Sequence, residues 1–237
     1  MKITAIQRPT SLVESVCDQL AEFIRGSADK ADSWLPAERA LAEQLGVSRS
    51  VVREATKRLE QQGRLEVQHG NGIKIVDKLH RPLNESLSLL IPDVAGRLRQ
   101  LNETRLAIEP QAARFAAQRA SKIQVRALRK IHSQLEAATD NAAAIEWDLA
   151  FHRTLAETSG NLIFRLVLDS LAELGLASRL RTIGRIGKQT AIEHHGLILG
   201  AIERGDADDA EKAMRFHILA AGQDLELDSL KPRSVKP

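Results

Sequence analysis

The sequence predicts a mainly α-helical protein: an N-terminal winged helix-turn-helix followed by an all-helical antiparallel bundle. Apolar residues recur at helical spacing through most of the chain, while strand-like alternation is confined to two short runs between residues 65 and 76. Between the second and third predicted helices stand only Gly46, Val47 and Ser48, the short glycine-bearing turn that a helix-turn-helix requires.

Each element carries its own mark. Ser11 and Glu14 have capping-box spacing, Leu12, Val16, Leu20 and Phe23 share a helical face, and Gly26 offers a stop, so the first helix spans about 11–25. Pro36 suits the first turn of a second helix, with Leu41 and Leu45 inward and Gly46 at its end. Ser48 caps a third helix that runs to about Gln62 and is closed by Gly63. Runs near Leu65–Val67 and Ile73–Val76 flank His69-Gly70-Asn71-Gly72, a hairpin turn. Beyond about residue 80 there is no strand signal. Helices are expected at 93–119, with a break or kink at Pro110, then at 122–138, 141–158, 161–183, 189–204 and 207–226. The expected organisation is a winged helix-turn-helix unit at 1–78, a linker with one short helix at 79–92, a helical unit at 93–228 and a disordered tail at 229–237.

Composition excludes several classes. With 43% hydrophobic and 27% charged residues the chain reads as an ordinary globular protein, and no apolar run approaches the roughly 20 residues that span a bilayer, so no membrane partner is expected. The N-terminus lacks the apolar stretch of a secretory signal, and one cysteine, Cys17, cannot form an internal disulfide; both point to the cytoplasm. A net charge of +3 is too small to argue for a nucleic-acid partner, and residues 1–77 carry as many acidic as basic side chains. The placement of the arginines therefore matters more than their number.

On the third helix, Val52, Ala55 and Leu59 share one face, whereas Arg49, Ser50, Arg53 and Lys57 fall on another. One face packs and the other is left for DNA. An arginine fork in the major groove can bond two acceptors on guanine, and the helix N-terminus with its serines suits phosphate. The alternative is a solvated charged face in which the same arginines meet Glu54 and Glu60. The whole run from Leu35 to Val76, LPAERALAEQLGVSRSVVREATKRLEQQGRLEVQHGNGIKIV, resembles the DNA-binding signature of the GntR family of regulators. That resemblance implies operator contacts from Arg39, Arg49 and Arg53 and from His69 and Gly70 in the wing, with Ser48 and Ser50 as phosphate partners. Val51 departs from the proline or threonine of many members.

A second constellation lies in the bundle. Ile145, Asp148, His152 and Leu155 share a helix face, which puts a carboxylate and an imidazole one turn apart within an apolar stripe. His195 shares a face with Ala191, Ile198, Leu199 and Ile202, and His217 lies among small residues. These last two helices join at Gly205-Asp206 as an antiparallel hairpin, and counting outward puts the histidines about 15 and 18 Å along their axes, at similar depth. Taken singly, each residue fits a satisfied structural role. Together they predict a site for a divalent transition metal such as zinc, nickel or manganese, with positions open for a carboxylate.

The segments NETRLAIEPQAARFAAQRA, EWDLAFHRTLAETSGN and HHGLILGAIERGDADDAEKAMRFHI resemble the FCD effector domain of the FadR branch of GntR regulators. The resemblance implies metal ligation by Asp148, His152, His195 and His217. It also implies that Arg105 faces an effector carboxylate, the alternative being a surface arginine paired to Glu103 or Glu109. His194 stands where the family usually has glutamate. By the same resemblance the chain is expected to act as a homodimer on an inverted repeat in double-stranded operator DNA, as a repressor answering to a small organic acid. Two other readings stay open: a metal-free pocket for an acyl thioester, and a metal-dependent hydrolase tethered to DNA.

Overall fold

Residues 11–26, 33–68, 72–90 and 94–225 are described by the computed structural model. They fall into two units that divide between Glu85 and Ser86. In the first, α1 (Leu12–Arg25) starts at a reciprocal capping box between Ser11 and Glu14 and turns Val16 and Leu20 inward. It is followed by β1 (Trp34–Leu35), α2 (Glu38–Leu45), α3 (Arg49–Gln61), β2 (Leu65–Gln68) and β3 (Gly72–Ile75). Pro36 lies just ahead of the first turn of α2 rather than in it. The core joins Val16 and Leu20 to Leu41, Val52, Ala55, Leu59, Leu65, Ile73 and Ile75, so all three helices close over one face of the sheet.

The sheet has the order β1-β3-β2, both pairings antiparallel, with Leu65 opposite Ile75 and Leu35 opposite Ile73. The expected hairpin is therefore present, and β1 is an unexpected third strand. Two residues give no periodic pattern to read; what makes them a strand is pairing with β3 across some forty positions of sequence.

Two glycines hold the reading helix in place. Gly46 ends α2 in the left-handed region (φ 65°) and lets the chain reverse within three residues. Gly63, at φ 73°, follows α3 where the strand departing from β3 returns: an added Cβ would lie 1.9 Å from the Lys78 carbonyl oxygen, and the Lys78 amide bonds to Gly63 O at 2.8 Å. Replacing Gly63 with alanine combines left-handed strain of about 1–2 kcal/mol with that backbone clash. The expected outcome, checked by urea denaturation, is a loss of several kcal/mol confined to the N-terminal unit.

After α4 (Arg81–Leu90), which spans the division, the second unit comprises α5 (Val94–Arg119), α6 (Lys122–Ala137), α7 (Asn141–Thr158), α8 (Leu162–Ser170), α9 (Ala172–Arg181), α10 (Ile183–Ile186), α11 (Gln189–Arg204) and α12 (Ala207–Asp224). Asp140 caps α7 through the Ala143 amide, Asp206 caps α12 through that of Asp209, and α11 and α12 pack as the expected hairpin. Ala112, Ala113, Ala116 and Ala117 let α5 approach α12 closely, with Phe151, Leu155, Ile198, Met214 and Ile218 filling the core.

Two expectations need correction. Pro110 does not break α5, which runs through it without interruption. Leu98 and Leu101 are buried before the proline and the alanine face after it, so packing on both sides holds the helix despite the missing amide. The single helix expected at 161–183 is three. Leu171 leaves the helical path (φ −94°, ψ 3°) to bury its side chain against Leu98 and Leu101, and Thr182 makes a second break. The loop tip at His69 and Gly70, part of the linker and the C-terminal tail lie outside the described residues. Among the described residues no helix is long and apolar enough to cross a membrane.

Candidate DNA-reading surface and metal centre

Burial of Val52, Ala55 and Leu59 forces the opposite face of α3 outward. Arg49, Ser50, Arg53 and Lys57 are all exposed on it. Ser48 Oγ accepts from the Val51 amide at 3.4 Å and lies 2.8 Å from Ser50 Oγ, so two hydroxyls flank the positive end of the helix. Arg39, exposed on α2, has its Nε 3.7 Å from Glu43. Sequence reasoning missed Glu38: its carboxylate accepts from Arg53 Nε and Nη2 at 3.0–3.3 Å and so aims the guanidinium across the surface. Spacing along a single helix could not show a partner that comes from α2. Of the expected contacts, His69 and Gly70 lie outside the described residues.

In the second unit the fold gathers Asp148 and His152 from α7, His195 from α11 and His217 from α12. One potential ligand atom from each lies within 4.8 Å of all the others, and all four side chains are buried. His152 Nε2 is 3.2 Å from His217 Nε2 and 3.8 Å from Asp148 Oδ2, and His195 Nε2 is 3.4 Å from Asp148 Oδ1. Phe151, fully buried, stacks on the His195 ring at 4.0 Å and fixes its plane.

Electrostatics prepare these groups to ligate. Burial drives the His152 and His217 imidazoles well below their ordinary range and brings His195 down to about 4, so all three are neutral near pH 7. Burial alone would raise Asp148, but the Arg179 guanidinium beside it holds its carboxyl well below the usual carboxylate range. Neither ring nitrogen of His195 makes a hydrogen bond despite complete burial. Neutral imidazoles, an ionised carboxylate and an orphaned buried nitrogen converging on one point are a donor set that fits a divalent transition metal.

Glu109 and Arg179 complete the centre; the sequence offered Glu109 only as a surface partner of Arg105 and did not single out Arg179. Glu109 Oε2 accepts from His152 Nδ1 at 2.5 Å, which commits the Nε2 lone pair to the centre. Arg105 is buried, not on the surface. Its Nε donates to Glu109 Oε1 at 2.6 Å and its Nη2 lies 3.4 Å from His152 Nε2, so the Glu109 pairing and a place in the site hold together. Arg179 donates from Nε to Asp148 Oδ2 at 2.6 Å. A cavity that is partly open to solvent is lined by Arg105, Arg179, Asp148 and His217. His194 stands on its wall rather than in the cluster, edge-on to Phe216 and His217.

Comparisons with known proteins cover both units. A model of bacterial regulatory proteins of the gntR family matches residues 12–75, and a model of the FCD domain matches residues 100–220. The HTH-type transcriptional repressor NanR of Enterobacter sp. (strain 638) is 30% identical over 218 residues, 87% of this chain and 82% of that protein. NanR of Cronobacter sakazakii is 28% identical over 95% of this chain and 89% of its own length. Among solved structures, Streptococcus agalactiae GntR superposes with a TM-score of 0.72 at 30% identity, covering 89% of this chain and 99% of that one.

Proposed function

The chain belongs to the GntR family of bacterial regulatory proteins and carries an FCD domain, a transcription regulator rather than an enzyme, and from that membership we propose that a small organic acid, bound at a metal site, controls its hold on operator DNA. The observation that carries the reading is the buried cluster of Asp148, His152, His195 and His217 opening onto a cavity walled by Arg105. A divalent ion, zinc first and nickel or manganese as alternatives, supplies a Lewis-acid centre with positions open to a carboxylate when bound. Arg105, which lines the cavity, would receive the same carboxylate. The hydroxyls of Ser178, Thr182 and Thr190 along the cavity wall suit an acid that also carries hydroxyl groups. The metal-free alternative, a pocket for an acyl thioester, leaves the converging carboxylate and imidazoles without a ligand to hold.

The reading head works by sorting contacts. Arg49 and Arg53 face base edges, Arg39, Ser48 and Ser50 face phosphates, and the wing at His69 and Gly70 approaches the neighbouring groove. A homodimer in the cytoplasm would set two such heads on an inverted repeat. Exposed Leu162, Ile163 and Leu166 on α8 with Leu176 and Leu180 on α9 offer an apolar surface that a second copy could cover. Acid binding then biases which placement of the two heads the dimer adopts.

A thermal-shift screen of sugar acids, hydroxy acids and dicarboxylates on zinc-loaded protein tests the reading. A true effector at a hundred times its dissociation constant stabilises by about 2.7 kcal/mol. A chain that takes up no zinc and shifts with no acid would sink the proposal. A subtler variant, Glu109→Gln, replaces the carboxylate behind His152 with a weaker acceptor. Zinc affinity, read by competition with a chromophoric chelator, is expected to fall roughly 10-fold or more.

A further inference from the structure

Two carboxylates and two guanidinium groups share the buried centre: Glu109 with Arg105, and Asp148 with Arg179. All four are at least nine-tenths buried, so their charges cancel with little help from water. Each guanidinium also touches an atom that a metal ion would use. Arg179 Nε holds Asp148 Oδ2 at 2.6 Å, and Arg105 Nη2 lies 3.4 Å from His152 Nε2. Adding a divalent cation to a balanced set leaves an excess of positive charge in a place where uncompensated charge is costly. The excess calls for an anion, and the cavity beside both arginines is where one can enter.

We infer that Arg179 is the internal cation a divalent ion displaces from Asp148, and that the displaced guanidinium becomes a second receptor for the ligand's carboxylate, opposite Arg105. The inference rests on the metal-and-acid reading above and adds to it a coupling between the two. Room for the exchange lies in the cavity that Arg179 itself lines; on its other side the guanidinium is packed against Gly175, where an added Cβ would stand 3.3 Å from both Arg179 Nη1 and Leu149 Cδ2. Among the described residues the guanidinium makes one other hydrogen bond, a long one of 3.5 Å from Nη1 to the Gly175 carbonyl. Arg179 is therefore anchored chiefly by Asp148, the group a metal would claim. Metal and acid should then bind with positive cooperativity, because each supplies the charge the other lacks.

The exchange predicts opposite changes in two measurements on one variant, Arg179→Gln, in the full chain. Zinc affinity, from chelator competition, is expected to rise about 5-fold, because a competing cation has been removed from Asp148. Stabilisation of the zinc-loaded protein by acetate, the smallest carboxylate, titrated at constant ionic strength and read as a melting-temperature shift, is expected to be lost. An arginine that merely supports the ligand from behind gives the reverse first result, a drop of roughly 10- to 100-fold in zinc affinity. That drop, or an acetate response as large as the parent's, overturns the inference. Should Arg179→Gln not fold, Arg179→Lys decides: its shorter ammonium still pairs with Asp148 but lacks the fork, so the acetate response falls while zinc still binds, and a response at the parent level overturns the inference. A parent chain that binds no zinc fails the underlying reading instead, and one that binds zinc without any acetate response fails the anion half of the exchange.

Discussion

Replacing Arg49 and Arg53 together with alanine is expected to abolish sequence-specific DNA binding while leaving the chain folded. Both side chains are exposed, on the face of α3 opposite Val52, Ala55 and Leu59, so their removal opens no cavity and orphans no buried group. In the major groove each guanidinium can meet a guanine through two hydrogen bonds, and losing one such pair costs roughly ten- to hundredfold in discrimination. Contacts at separate base pairs add approximately, so the double variant falls to the level of non-specific binding. Anisotropy of a labelled duplex, selected from a random library by the parent protein, measures the loss, and a melting curve measures the fold. Arg53 carries a second expectation. Its pairing to Glu38 in the free chain has to loosen or rearrange on DNA, so Glu38→Ala should change which base is preferred more than how tightly DNA is held.

The second large effect lies in the sensor. Asp148→Ala removes a prospective metal ligand and at the same time strips Arg179 of its buried counter-charge. Breaking a buried ion pair from one side costs about 3–5 kcal/mol, so this variant is expected to lose both zinc and stability. His217→Ala separates the two effects. Its neutral imidazole leaves no unpaired charge behind, so the penalty is that of a cavity and the lost contact with His152, about 2–5 kcal/mol and regained by no ion, while zinc affinity collapses with one of the four prospective ligands gone. Zinc stoichiometry by elemental analysis and urea denaturation of both variants distinguish them. Equal zinc content in His217→Ala and the parent would remove that histidine from the centre.

Much of this was legible in the sequence because it depends on local spacing. The capping residues Ser11, Ser48 and Asp206, the turn at Gly46 and the buried faces of α3, α7 and α11 all follow from which residues lie three, four or seven positions apart. The four prospective ligands were legible for the same reason, since a histidine or aspartate inside an apolar stripe stands out. What depends on distant partners was not. β1 exists because β3 pairs with it, the break at Leu171 serves contacts with α5 and that at Thr182 turns Ile183 onto Ile145 and Ala191, and Pro110 is tolerated because the bundle holds α5 from both ends. Arg179, and the place of Glu109 behind His152, were missed for a related reason. Charged residues on a helix usually face water, and only the assembled bundle turns these two inward to balance Arg105 and Asp148.

Operator binding followed by anisotropy during an acid titration, on zinc-loaded protein and again after a chelator has stripped the zinc, tests the link between the two units most directly. The acid used is the one giving the largest thermal shift. The expected result is release of DNA by the acid only while zinc is bound, with the response restored when zinc is returned. Release at the same acid concentration in stripped protein, or no change in DNA binding from an acid that demonstrably stabilises the loaded chain, would contradict a metal-held sensor acting on the DNA-reading unit.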